Sequence, residues 1–370
     1  MNILQALDKI PDFRVTGRCK HRLGHVLGIA LIAILHGACS YRQMAAFGRG
    51  RLDWLRDNFF EGLKAIPSHD VFRNVFVGMD PDLFCGLFAL WAQGLREQTG
   101  QKQLVCLDGK GLRGAARPDG TIPFVVSAWL ETERLVLGQV AVDAKSNETK
   151  AYPELFKRLV LRGSIVSIDA AGCQKSLARE LVEVRGADYL FALKGNQGNT
   201  LGDVKLLMED LLDNEPRKLS RHEEWNKEHG RIERRTCYTT NWVEWDPIKG
   251  QWAGLKTLCM VESERRVGRA APTVERRFYL SSLEADAETM QKLVRGHWGI
   301  EERLHYVKDV DFGEDRCRAR TGHSAMNRST MLHVALNLIN RSRPANVGVK
   351  AHWQMIGWDL ELAVRTVKAA

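Results

Sequence analysis

Apolar residues recur at helical spacing through residues 23–38, 47–55 and 83–95, with polar breaks at Ser40, Pro67-Ser68 and Asp80-Pro81. This pattern predicts a helical module over residues 1–98. After the polar stretch 96–102 the period shortens to that of strands. Residues 103–107, 124–130 and 135–142 are rich in Val, Leu and aromatic side chains and read as three successive strands. Helical and strand periods then alternate: a helix over 152–161, a strand over 164–168, a helix over 174–184, a strand over 187–193 and a helix over 201–212. Residues 214 to about 284 are polar and charged, with strand-like runs at 235–243, 256–261 and 276–280 and with Trp225, Trp242, Trp245 and Trp252 close together. A structureless stretch of that length inside a compact domain is uncommon, so a β-rich insertion is expected. Helical spacing resumes over 287–307, 325–339 and 352–367.

Three meandering strands followed by alternating helices and strands give the order β-β-β-α-β-α-β-α. That order is the signature of a ribonuclease-H-like sheet, in which an antiparallel hairpin set merges with parallel strands. The expected fold class is therefore α/β: a ribonuclease-H-like core with a β-rich insertion, preceded by a helical N-terminal domain. The expected divisions are 1–98, 99–342 with the insertion at about 214–284, and a helical tail over 343–370.

Carboxylates mark two of the predicted strand ends. Asp108 closes the first strand and Asp169 the fourth, and these two strands lie side by side in such a sheet. Two like charges at one sheet edge repel unless a cation lies between them, and hard oxygen donors suit magnesium or manganese. A turn-initiating Asp at each strand end is the plainer reading of either residue alone. Glu301, on the helix that closes the core, is the candidate third acid. Lys308 follows it at a seven-residue interval that returns to the same α-helical face and is expected to hold a phosphate.

Composition changes this picture little. With 54 Lys+Arg against 45 Asp+Glu, the net charge of +9 hints at a polyanionic partner. Seven of the basic residues and two Asp fall in the first fifty positions. The clean apolar run 26–35 is half the ~20 residues of a membrane span, and Asp8, Pro11 and Asp12 stand where a signal peptide is apolar. No membrane association is expected, and the cytoplasm is the expected location. The eight cysteines contain no CxxC pair and read as reduced.

Many ordered segments together resemble one family. They include Ile10-Pro-Asp-Phe-Arg14, Ile66-Pro-Ser-His-Asp70, Asp108-Gly-Lys-Gly-Leu-Arg113, Lys145-Ser-Asn-Glu148, Ile168-Asp-Ala-Ala-Gly-Cys-Gln174, Asp188 through Gln197, His229-Gly-Arg-Ile-Glu233, His297-Trp-Gly-Ile-Glu301 and Asp309 through Asp315. The chain resembles the insertion-sequence transposases of the DDE superfamily, in the ISAs-type branch with the H-repeat-associated proteins. The resemblance implies cleavage and strand transfer at insertion-sequence ends, with Asp108, Asp169 and Glu301 as catalytic acids and ligands of two magnesium or manganese ions when DNA is bound. It implies double-stranded DNA as partner, both terminal repeats and target, self-association on that DNA and a nucleoid location when bound. Related transposases surround the last Glu with Tyr-x2-Arg-x3-Glu-x6-Lys. Here Val294 and His297 take the Tyr and Arg places, and Glu302 stands where the branch usually has Asn.

Candidate DNA contacts are Lys110 and Arg113 after the first strand, Lys194, Asn196 and Gln197 after the fifth, Arg231 in the insertion, and Arg295, His297, Trp298 and Lys308 around Glu301. Core packing competes for Trp298, a plain turn for 194–197, and salt bridging with Glu223, Glu224, Glu228 and Glu233 for the Arg231 cluster. Gly109 to Gly114 spells GxGxxG after a strand, but Pro118 and another strand follow where a dinucleotide site needs a helix. A catalytically inactive DNA-binding remnant and a ribonuclease-H-like nuclease without strand transfer are the alternative functions.

Overall fold

The computed structural model describes residues 1–369 except 16, 18, 98, 143–147, 229, 230, 244–247, 249 and 269. Six helices open the chain: α1 (Ile3–Asp8), α2 (Leu23–Leu35), α3 (Tyr41–Gly50), α4 (Leu52–Asn58), α5 (His69–Gly78) and α6 (Pro81–Leu95). The expected helix over 47–55 is broken at Arg51, whose φ of −133° leaves the helical region. Pro67-Ser68 is more than a break: the Ser68 hydroxyl accepts from the Val71 N–H and caps α5, a helix too short for its period to stand out.

The core strands are β1 (Leu104–Gly111), β2 (Phe124–Leu130), β3 (Leu135–Val142), β4 (Ile165–Ile168) and β5 (Asp188–Leu193), with α7 (Ala151–Arg158), α8 (Lys175–Arg179) and α9 (Gly198–Asn214) between or after them. Four further strands follow, β6 (Ser220–Glu228), β7 (Arg231–Thr240), β8 (Thr257–Val267) and β9 (Thr273–Ser281). The chain closes with α10 (Ala287–His297), α11 (Ser324–Ser342), α12 (Val349–Trp358) and α13 (Leu360–Lys368). The expected single helix over 352–367 is split at Asp359, whose carboxylate caps α13 by accepting from the N–H groups of Glu361 and Leu362.

All the described strands join one nine-stranded sheet in the order β3-β2-β1-β4-β5-β9-β8-β7-β6. β1, β4 and β5 run parallel, and every other pairing is antiparallel. The β-rich stretch therefore does not stand apart from the core sheet: β9 pairs with β5 and carries the rest outward. β6 was not legible in the sequence because its alternation is of charges rather than apolar residues (Ser-Arg-His-Glu-Glu-Trp-Asn-Lys-Glu). The chain is a mixed α/β protein.

The pleat sorts side chains to two faces. On β1, Val105 and Leu107 join Tyr152, Phe156, Leu177 and Met208 under α7, α8 and α9. Leu104 and Cys106 point the other way, into a core shared with the N-terminal helices and with α10 to α13. The helices on either side of the expected boundaries at 98 and 343 thus pack into one body against one sheet face. The polar stretch that begins at Arg96 is pinned, since that guanidinium donates to the Gln103 side chain at 2.6 Å, to Val160 O at 2.9 Å and to Ser164 Oγ at 2.9 Å. Among the described residues no single helix is long and apolar enough to cross a membrane.

α11 is buried almost all round, and its polar side chains serve neighbouring backbone. Asn337 accepts from Val136 N and donates to Val136 O, both at 2.8 Å, closing the edge of β3 as a further strand would. Asn337→Leu leaves both backbone groups buried and unpaired. The expected loss is about 1–3 kcal/mol per group, read as a lower denaturant midpoint with an unchanged m-value.

Candidate active site

The parallel ladder between β1 and β4 ends with Leu107 opposite Ile168. The next residues on the two strands are Asp108 and Asp169, so the register sets them at neighbouring positions on one edge. Asp108 does not end its strand, as the sequence suggested; β1 continues to Gly111 by pairing with β2, with Asp108 opposite Ser127. Asp169 does begin a turn, its Oδ1 accepting from Ala171 N at 2.9 Å. That loop is held from the far side, because Asn196 donates to Ala170 O at 2.6 Å and Gln197 to Cys173 O at 3.0 Å. These two residues brace the loop after Asp169, so their amides are engaged with protein.

Glu301 arrives from across the sheet. The helix begun by α10 runs on but widens into π turns over Ile300–His305 and Val307–Asp311, a geometry frequent at functional sites. Winding from i to i+5 adds about one residue to each turn, so a seven-residue interval no longer returns to the same face. Glu301 consequently lies exposed while Lys308 turns inward with Leu304 and Val307. Gly299 lets this helix lie against the end of β2, since a Cβ there would sit 2.1 Å from Glu131 Oε2. Glu131 is itself oriented by Trp129 Nε1 at 2.8 Å and paired with Arg303.

The charges of this edge are felt by one another. Partial desolvation of its carboxyl, although the residue as a whole is exposed, raises the Glu301 pKa above the ordinary carboxylate value, and the negative charges of Asp108 and Asp169 add to the rise while His305 opposes it. His305 Nδ1 stands 3.3 Å from Asp108 Oδ2, and its Nε2 is buried without a hydrogen-bond partner among the described residues. Burial lowers the His297 pKa against the pull of Asp108 and Asp169, and its Nδ1 meets Ser167 Oγ at 2.9 Å. The sequence motifs contain His297 but stop short of His305, whose partner Asp108 is distant in sequence.

As a donor set, three carboxylates whose charges reinforce one another match the chemistry of a hard divalent cation. Their side chains are not closed on a common point: among the described residues no three His, Cys, Asp or Glu side chains form a group that would hold an ion.

The remaining candidates divide. Arg113 and Lys194 are exposed. Arg295 is half exposed and paired with Glu224 at 2.7 Å. Arg231 lies 3.9 Å from Glu233, which also takes Arg235 at 2.8 Å, while Arg234 pairs with Glu264 at 2.5 Å, so this cluster is salt-bridged surface. Trp298 is 40% exposed with the Arg277 guanidinium 4.9 Å from its ring centroid, which corrects the packing expectation. His297 is half-buried, and its Nδ1 is engaged with Ser167 Oγ.

Lys110 and Lys308 are corrections. Lys308 has no exposed surface; its ammonium donates to Ser329 Oγ at 2.7 Å and His333 Nε2 at 2.9 Å and lies 3.1 Å from Glu314 Oε1. Burial lowers its pKa to about 8. Lys110 is buried between Asp309 and Glu314, the latter at 2.6 Å. Neither reaches a phosphate in this conformation. Burial opposes ionisation of Glu314, yet Lys308 and Lys110 prevail and lower its pKa to about 2. The side chains of 145–147, His229 and Trp245 lie outside the described residues, and nothing is described of the Glu148 side chain.

Comparison with known proteins gives consistent matches. Residues 99–338 match the family described as Transposase DDE domain, and residues 4–92 match the DDE_Tnp_1-associated family. The chain is similar to "H repeat-associated putative transposase YhhI" of Escherichia coli (strain K12), 32% identical over 96% of this chain and 95% of that protein. It is 34% identical to "Putative transposase YncI" of Escherichia coli O157:H7, over 94% of this chain and 90% of that protein. Similarity to "Putative protein YbfL" of Escherichia coli (strain K12) is 33%, over 96% and 95% of the two chains. Among solved structures, a cryo-EM structure of piggyBac transposase in a synaptic complex with hairpin DNA aligns with a TM-score of 0.45 and 12% identity, covering 99% of this chain and 78% of that one.

Proposed function

The chain belongs to the DDE transposase family, with the H-repeat-associated proteins, and on that premise we propose that it cleaves and rejoins DNA at insertion-sequence ends, using Asp108, Asp169 and Glu301 in a ribonuclease-H-like core. The observation that carries this reading is the β1/β4 register, in which Asp108 and Asp169 follow the last paired residues of adjacent parallel strands, with Glu301 close enough for both to raise its pKa. Such a cluster of like charges opposes folding and is retained where a cation is to be held.

Magnesium or manganese bound by these three residues would activate the attacking water or 3′-hydroxyl and stabilise the leaving oxygen of an in-line displacement. The protein's own contribution is positional. The β1/β4 ladder fixes the two aspartates, Asn196 and Gln197 hold the loop behind Asp169, and His305 orients the Asp108 carboxylate. Double-stranded DNA approaches the same edge, where Arg113, Lys194, Arg231, Arg295 and Trp298 are at least partly exposed. Two copies act together on paired ends.

The test is incubation of the protein with duplexes carrying the element's own terminal repeats and magnesium. Nicked and joined products are expected. Nicks without joined products would reduce the activity to that of a nuclease. Binding without any nicking would leave a DNA-binding remnant, a reading that Glu302 favours by adding a further negative charge beside Glu301.

A further inference from the structure

Lys110 and Lys308 meet at one carboxylate. Lys110 lies two residues beyond Asp108 on β1 and therefore on the same side of the strand. Lys308 lies on the inward face of the helix that presents Glu301. Glu314, on the short turn Glu314–Arg316, offers Oε2 to Lys110 at 2.6 Å and Oε1 to Lys308 at 3.1 Å. Asp309, one residue after Lys308, also pairs with Lys110. Strand and helix are thereby tied to each other through a single buried group.

The tie is anchored behind. Besides Glu314, the Lys308 ammonium engages Ser329 and His333 of α11, and the Ser329 hydroxyl reaches Gln139 Oε1 on β3 at 3.4 Å. Two ammonium groups and two carboxylates balance here, with Lys308 and Glu314 closed to solvent and Asp309 partly exposed at the rim, and buried balanced charges have few alternative arrangements. A phosphate contact, by contrast, needs a side chain that can reach the surface, and Lys308 is 0% exposed.

We infer that Glu314, gripping Lys110 on one side and Lys308 on the other, is a positioning residue that sets the separation of Asp108 from Glu301, and that neither lysine contacts DNA phosphate. This rests on the transposase reading of the site. The interval from Glu301 to Lys308 then matters as a structural measure, because it fixes how far behind the acid the helix is fastened.

Full-length protein is compared with Lys308→Met and Glu314→Gln in three measurements: manganese affinity without DNA, followed by electron paramagnetic resonance; the salt dependence of binding to a terminal-repeat duplex in calcium; and cleavage of that duplex in magnesium. Both variants are expected to lose about 10- to 100-fold in manganese affinity, the scale on which supporting groups act on metal ligands, with a comparable loss of cleavage. The salt slope of DNA binding is expected to stay unchanged. A slope that falls by about 0.9 for the lost lysine would make Lys308 a phosphate contact and overturn the inference. Unchanged manganese affinity and cleavage in variants of an active parent would also overturn it. An unmutated protein that neither binds manganese nor cuts would overturn the transposase reading, and the brace with it. If Lys308→Met does not fold, Lys110→Met carries the same measurements, since its second partner Asp309 is partly exposed.

Discussion

Replacing Asp108 by Asn, or Glu301 by Gln, is expected to abolish cleavage and joining, by more than about 10³-fold, while terminal-repeat binding remains within a few-fold of the parent. Each substitution preserves shape and removes one negative charge. Position 108 pairs with Ser127 across β1 and β2 through its backbone, which Asp108→Asn leaves untouched, so the sheet edge stays formed. A second readout separates a chemical role from a structural one. Glu301 is exposed and its carboxylate is opposed by Asp108 and Asp169, so Glu301→Gln is expected to leave the melting temperature equal or higher. A variant that is inactive and no less stable marks a group kept for chemistry. One that retains cleavage at the parent rate would remove Glu301 from the catalytic set.

The second large effect concerns stability. Glu314→Ala leaves the Lys110 ammonium with Asp309 and takes from the buried Lys308 ammonium its paired carboxylate, leaving it the neutral partners Ser329 and His333, and removing one partner of a buried charge cluster typically costs about 3–5 kcal/mol. Denaturant unfolding of parent and variant at neutral pH measures it. The pH dependence has a definite sign. The folded-state pKa of Glu314 is lowered from 4.5 to about 2, so its contribution is complete above pH 4.5 and is lost as the pH falls through that window towards 2. Lys308 is also lowered, from 10.5 to about 8. Between those values the unfolded chain holds a proton that the folded chain has released, so stability from this group rises with pH from about 8 to 10.5. The groups facing the cluster are Lys110, Asp309, Ser329, His333 and, more distantly, His305. Glu314→Gln should flatten the acid limb of the stability curve; an acid limb identical to the parent's would show that other carboxylates set it.

The core order of strands and helices was legible because β1 to β5 are apolar runs bounded by turns, and the limits of β2 and β3 matched to the residue. Strand ends gave Asp108 and Asp169 for the same reason: a carboxylate directly after an apolar run interrupts a pattern. β6 stayed hidden because solvated strands alternate charge against charge, and nothing in such a sequence separates a strand from a polar loop. Lys308 failed for a different reason. Its assignment assumed α-helical periodicity, and the π turns after Gly299 changed which residues share a face. Glu314 sat in plain view within Asp-Val-Asp-Phe-Gly-Glu-Asp, yet its meaning depends on Lys110, which is about two hundred residues away and adjacent only once β1 and the closing helix are folded.

The core shared by the first and last helices also constrains how the protein is made. As synthesis proceeds at ~5–20 residues per second, α2 emerges early with its apolar surface uncovered, and α11, which packs against it, leaves the ribosome some tens of seconds later. The N-terminal helices have no separate core in which to wait. A gene copy truncated or frameshifted before residue 324 should therefore yield a polypeptide that proteases and chaperones clear, rather than a stable fragment able to occupy the element's ends and inhibit its intact relatives.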